Sequence, residues 1–138
     1  MAEFVRSRSV EHKEERMAEI KKATNDLFIT DSYHDITLTT IAQKLDWSRA
    51  NLYKYVGSKE DIFLEIFLDK QEVYFEKIHS IFTKEANYSN IVMAEIWSNI
   101  INENQDYFRC CHILSYIIVT HAAMEKLVTF KQKYYVQV

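Results

Sequence analysis

An arginine, an asparagine and two tyrosines crowd the segment Ser48-Arg49-Ala50-Asn51-Leu52-Tyr53-Lys54-Tyr55, and Lys59 follows within a few residues. Together these side chains have one chemistry in common. A guanidinium can fork onto the acceptors of guanine, and a carboxamide can pair with adenine or bond a phosphate. Phenol hydroxyls donate to phosphate oxygens while their rings lie on sugars or thymine methyls. A lysine opening a helix adds a charge where free backbone N–H groups already attract anions. Small Ala50 allows close approach, and Leu52 with Val56 is left to anchor the segment to a core. Ser48, Arg49, Ala50, Asn51, Tyr53, Tyr55 and Lys59 are therefore candidate nucleic-acid contacts. Thr39, together with Thr40, is placed for the phosphates of the opposite strand.

Such a surface must be presented by short helices, and the surrounding signals supply them. Thr37 caps a helix from Leu38 to Leu45 whose Leu38, Ile41, Ala42 and Leu45 point inward. Asp46-Trp47-Ser48 is a tight turn. Asp46 sits where left-handed backbone is tolerated better by Asp than by most residues, and Trp47 reads as a core residue. Ser48 caps the next helix, Arg49 to Tyr55 or Val56. The spacing of Tyr53 and Tyr55 puts them on different sides, so one of them is expected partly buried. Gly57, the only glycine, stands where a helix end favours a left-handed residue. Ser58 then caps a long helix, Lys59 to about Phe82, with Asp61 completing an approximate capping box.

The rest of the chain is also helical in pattern. With no proline and one glycine among 138 residues, the turns of a β-rich fold have no material, and the expected class is all-α. Ser9 is expected to cap a first helix reaching Thr30, with Val10, Met17, Ile20, Ala23, Thr24, Leu27 and Phe28 on its apolar stripe. Residues 1–8 read as a mobile arm bearing Arg6 and Arg8. Three further helices follow, about Asn90–Ile101, Gln105–Val119 and Ala122–Tyr135. The division expected is a DNA-binding domain over 1–58 and a helical regulatory domain over 59–138.

Net charge is −3. The first 60 residues balance ten Lys/Arg with ten Asp/Glu, and the later ones set seven against ten. Between Thr37 and Lys59 only Asp46 opposes Lys44, Arg49, Lys54 and Lys59, leaving that stretch locally basic. Cys110 and Cys111 are adjacent, a spacing that pairs only with strain, so reduced thiols and a cytoplasmic setting are expected. Cys110-Cys111-His112 diverge by about 100° per residue on a helix and cannot converge on one ion. No metal, cofactor or catalytic group is expected. Met1–Val10 lacks the apolar core of a signal peptide, and no apolar run nears the ~20 residues of a membrane span.

On the words "TLTTIAQKL", "WSRANLYKYV" and "GSKEDIF" the sequence resembles the TetR family of bacterial transcription regulators, over roughly residues 9–67. The resemblance implies a three-helix helix-turn-helix domain joined by a long fourth helix to a C-terminal ligand-binding and dimerisation domain. It implies a homodimer, a double-stranded DNA operator and a small-molecule inducer. It carries DNA contact onto Thr39, Ser48, Arg49, Ala50, Asn51, Tyr53, Tyr55 and Lys59. Asp46 departs from the glycine usual in the family. The final helix pair of the family's dimer interface has no counterpart here, so further helices are expected beyond residue 138. An inducer pocket would be lined by Trp97, Tyr107, Cys111, Tyr116 and His121. The competing expectation is a helical adaptor that reads a protein partner.

Overall fold

A computed structural model describes the backbone of residues 2–82, 87–119 and 124–137, and side chains for 9–82, 87–117 and part of the last helix. Seven helices are present and no strand occurs among the described residues: α1 Ala2–Thr30, α2 Leu38–Leu45, α3 Arg49–Tyr53, α4 Lys59–Phe82, α5 Asn90–Glu103, α6 Gln105–Val119 and α7 Met124–Gln137. The all-α expectation holds. The chain divides into two compact units, Met1–Glu65 and Ile66–Val138, and the division falls inside α4.

In the first unit α1 packs on α2 and α2 on α3. Ile20, Ala23, Phe28, Ile36, Ile41, Ala42, Leu52, Val56, Ile62 and Phe63 are buried there. Phe63 is the hub, with the ring of Phe28 edge-on at 5.3 Å and that of Tyr33 at 5.0 Å. Thr24 is wholly buried and donates its hydroxyl to Ile20 O one turn back, which satisfies it without a partner helix. Leu52 and Val56 anchor α3 as their positions suggested.

Three local expectations need correction. α1 does not begin at Ser9: helix runs from Ala2, because nothing between Ala2 and Arg8 stops one and a serine is tolerated inside. Val10, expected on the apolar stripe, is 54% exposed. Gly57 does not take a left-handed φ. Its lack of a side chain serves proximity instead, since a Cβ there would lie 3.2 Å from a carboxylate oxygen of Asp61. The left-handed residue is Asp46, with φ 57° and ψ 40°, at the end of α2.

In the second unit α5 packs on α6. Its core holds Ile66, Phe67, Ile100, Tyr107, Cys110, Ile113 and Ile117. Tyr107 of α6 stacks on Tyr74 at 4.6 Å and on Phe67 at 5.5 Å, both from α4. Lys70 donates to Asp106 at 2.5 Å, and Lys77 pairs with Glu103. Asn104 ends α5, its side-chain amide donating to Ile100 O. No helix among the described residues is long and apolar enough to cross a membrane.

Candidate nucleic-acid interface

The helix-turn-helix is built from caps. Thr37 and Thr40 form a reciprocal pair at the head of α2: Thr40 N–H donates to Thr37 Oγ1, and Thr37 N–H to Thr40 Oγ1. Thr40's hydroxyl is thereby committed to the cap, while Thr39 beside it is half-buried and outside it. At the far end the left-handed Asp46 lets its own N–H and that of Trp47 turn back onto Gln43 O and Ala42 O. The chain then reverses, and Ser48 caps α3 by accepting from Asn51 N–H at 3.1 Å. These bonds occupy backbone groups that would otherwise be stranded at helix ends, and they fix the angle at which α3 leaves the turn.

α3 is shorter than its sequence pattern suggests, closing at Lys54, with Tyr55 and Val56 N–H groups both turned back to Leu52 O. Its outward face carries Ser48, Arg49, Ala50 and Tyr53, all exposed, with Asn51 half-buried at the edge. Arg49 is already organised: a guanidinium N–H donates to the Tyr53 hydroxyl at 3.1 Å, and the group lies 5.8 Å from that ring's centre. Tyr55 is the partly buried one of the two tyrosines, its ring 5.8 Å from that of Trp47. Trp47, expected in the core, is only half-buried. Arg16 of α1 covers it from 5.4 Å, a cation over an electron-rich face, while bonded to Glu19.

Lys59 is held differently from the other candidates. Its ammonium donates to Tyr33 O at 2.8 Å and to Ile36 O at 2.9 Å, and lies 4.1 Å from the centre of the Tyr33 ring. Burial lowers its pKa from the ordinary lysine value, against the opposing pull of Glu60 and Asp35. Tyr33 in turn donates its hydroxyl to Glu60 at 2.8 Å. Sequence reasoning has no hold on Tyr33, Glu60 or Arg16, because their partners lie far along the chain.

Residues 20–66 match the family model described as bacterial regulatory proteins, tetR family. That span is similar to the DNA-binding domain of the tetR family. The match supports a helix-turn-helix, DNA-binding domain of a transcription regulator, and the matched span takes in the caps, the turn, α3 and the head of α4 described above. No curated protein was found to match the chain.

The candidates for an inducer site are dispersed. Tyr107 is buried and Cys111 half-buried beside it, whereas Trp97 is 38% and Tyr116 45% exposed. Trp97 lies on α5, its ring 5.6 Å from that of Phe82. His121 lies outside the described residues. A shallow depression of about 490 Å³ is lined by Glu72, Phe75, Glu76, Ile78, His79 and Ser80 of α4, and not by Trp97, Tyr107, Cys111 or Tyr116. Burial raises the Tyr107 hydroxyl well above the ordinary tyrosine value, with Cys111 adding to the effect and the Gln71 side chain opposing it. Burial also pushes the Cys110 thiol up to about 11, which keeps it unreactive. Among the described residues no group of three His, Cys, Asp or Glu side chains could hold a metal ion.

Proposed function

We propose that the chain is a repressor whose homodimer occupies a palindromic operator and leaves it when a small molecule binds the C-terminal helices, in the bacterial cytoplasm. The observation that carries this is the outward face of α3, where Ser48, Arg49, Ala50 and Tyr53 stand exposed on a helix anchored by Leu52 and Val56. α3 enters the major groove, with Arg49 and Asn51 at base edges and Ser48, Tyr53, Tyr55 and Thr39 on the backbone. Lys59 serves the same surface from the head of α4. The two α3 helices of a dimer meet successive major grooves about 34 Å apart.

α4 begins in the first unit and ends in the second, which makes it the lever between inducer and operator. An inducer shifts occupancy by binding better to a conformer whose α3 helices are wrongly spaced. Tyr107 and Cys111 supply polar groups for it, with Trp97, Tyr116 and His121 extending the site.

The test is a selection of bound duplexes from random DNA, followed by Arg49→Ala on the winning sequence. The substitution is expected to cost about 1–3 kcal/mol at one base pair and to relax preference there. Wild-type affinity should fall steeply with salt. Binding without sequence preference or salt dependence would return the chain to the protein-adaptor reading.

A further inference from the structure

We propose that Lys59 is a positioning residue of the DNA-binding surface rather than one of its phosphate contacts: its ammonium locks the α1–α2 connection to the head of α4, and so sets where Thr39 meets the duplex. The inference rests on the DNA-binding reading above.

Two of the three N–H bonds of Lys59 Nζ are spent on Tyr33 O and Ile36 O. Those carbonyls belong to the stretch between α1 and α2, and Ile36 immediately precedes Thr37, the cap of α2. The ammonium also sits on the face of Tyr33, a residue 7% exposed whose ring is braced by Phe63. Glu60, next in sequence, accepts from the hydroxyl of the same tyrosine. Consecutive residues at the head of α4 thus grip Tyr33 from its face and from its hydroxyl. To reach a phosphate, Lys59 must give up its bonds to two carbonyls and its place on an aromatic face. Lys44 and Lys54, by contrast, stand exposed to solvent.

The position of the grip gives it a consequence for binding. It ends one residue short of Thr37, and the Thr37–Thr40 cap is continuous with Thr39. Releasing Lys59 frees the connection at Tyr33 and Ile36, so the first turn of α2 no longer meets the duplex in a fixed place. The interactions forfeited there are those of neutral groups, which displace no counterions from the duplex. Taking a cation away from the phosphates would instead lower the salt dependence.

The experiment compares wild type, Lys59→Met and Tyr33→Leu on a duplex selected by the wild-type protein. Kd is referred to the active fraction, at several salt concentrations and well below each thermal midpoint. Should Lys59→Met or Tyr33→Leu fold poorly, Lys59→Gln and Tyr33→Phe are measured in their place. Expected are a loss of about five- to ten-fold for all sequences alike, as for a lost hydrogen bond or two, and an unchanged salt slope. Tyr33→Leu should reproduce the loss, and the double variant should lose little more than either alone. A slope reduced by about 0.9 per protomer, with Tyr33→Leu harmless, would overturn the proposal in favour of a direct phosphate clamp. Unchanged affinity per active molecule would overturn it in favour of a role in stability alone. Failure of the wild type to bind any selected duplex needs no substitution to detect, and it overturns the DNA reading itself.

Discussion

The two units spend their polar groups differently. In Met1–Glu65 the loop and cap side chains have defined tasks: Thr37 and Thr40 close one helix head, Ser48 and Ser58 two others, and Lys59 and Glu60 share Tyr33. Each unit also buries a polar group without a hydrogen-bond partner among the described residues, Asp61 Oδ1 in the first and the Gln71 carboxamide in the second. Gln71 is wholly buried. Large apolar side chains stand exposed on the helices of Ile66–Val138, including Ile91, Trp97, Ile101 and Phe108. The difference is one of degree, two amide atoms against one carboxylate oxygen, and an unsatisfied buried amide weakens the packing it sits in.

The strongest way to break the contrast is to compare buried and open positions directly. Leu52→Ala, at a site with no exposure, is expected to cost about 2–5 kcal/mol, seen as a lower thermal midpoint and lost DNA binding. Ile91→Ala, at 75% exposure, should stay within about 0.5 kcal/mol. Equal losses would mean that Ile91 is covered in solution.

Next in size, Gln71→Leu should stabilise the second unit by about 1–2 kcal/mol, because it removes an unpaired amide at similar volume. Destabilisation in a denaturant titration would show that the amide has a partner after all. Asp46→Val should cost about 1–2 kcal/mol, as a β-branched residue in left-handed backbone, whereas Asp46→Gly should fold at least as well. Calorimetry on both variants checks this.

The smallest effect concerns pH. Burial raises the carboxyl of Asp106, but the hydrogen bond and charge of Lys70 and the N–H of Tyr107 outweigh it, and the net pKa is lowered from 3.8. The folded state therefore favours the ionised form. The stability this gives is fully present above the ordinary carboxylate value and disappears as pH falls through 3.8 towards the folded value. Because the carboxylate is 63% exposed, the effect should stay below about 1 kcal/mol. The difference in thermal midpoint between wild type and Asp106→Asn should be present at neutral pH and vanish in acid.

The same division explains how much can be read from sequence. The caps at Thr37 and Ser48, the turn at Asp46 and the buried anchors Ile41, Ala42, Leu52 and Val56 act over a few residues, so their types and spacing reveal them. What stays hidden depends on distance along the chain. Lys59 finds its acceptors 26 and 23 residues away, and neither is marked by a side chain of the right type. Arg16 covers Trp47 from another helix. The start of α1 is not legible because a helix lacking a stop signal simply continues. Trp97, Tyr107, Cys111 and Tyr116 stand out by bulk and polarity, but whether such groups face one another is decided by helix packing that periodicity does not encode.

The bond between Arg49 and Tyr53 has a thermodynamic consequence. A long, freely rotating guanidinium surrenders much rotational freedom when it is pinned against a base. Here part of that loss has occurred before any duplex arrives, since the side chain is already tethered to its neighbour one turn away. On the proposed DNA-binding reading, recognition by this arginine should therefore begin from a narrowed set of poses, and discrimination between bases should cost less ordering than the length of the side chain suggests.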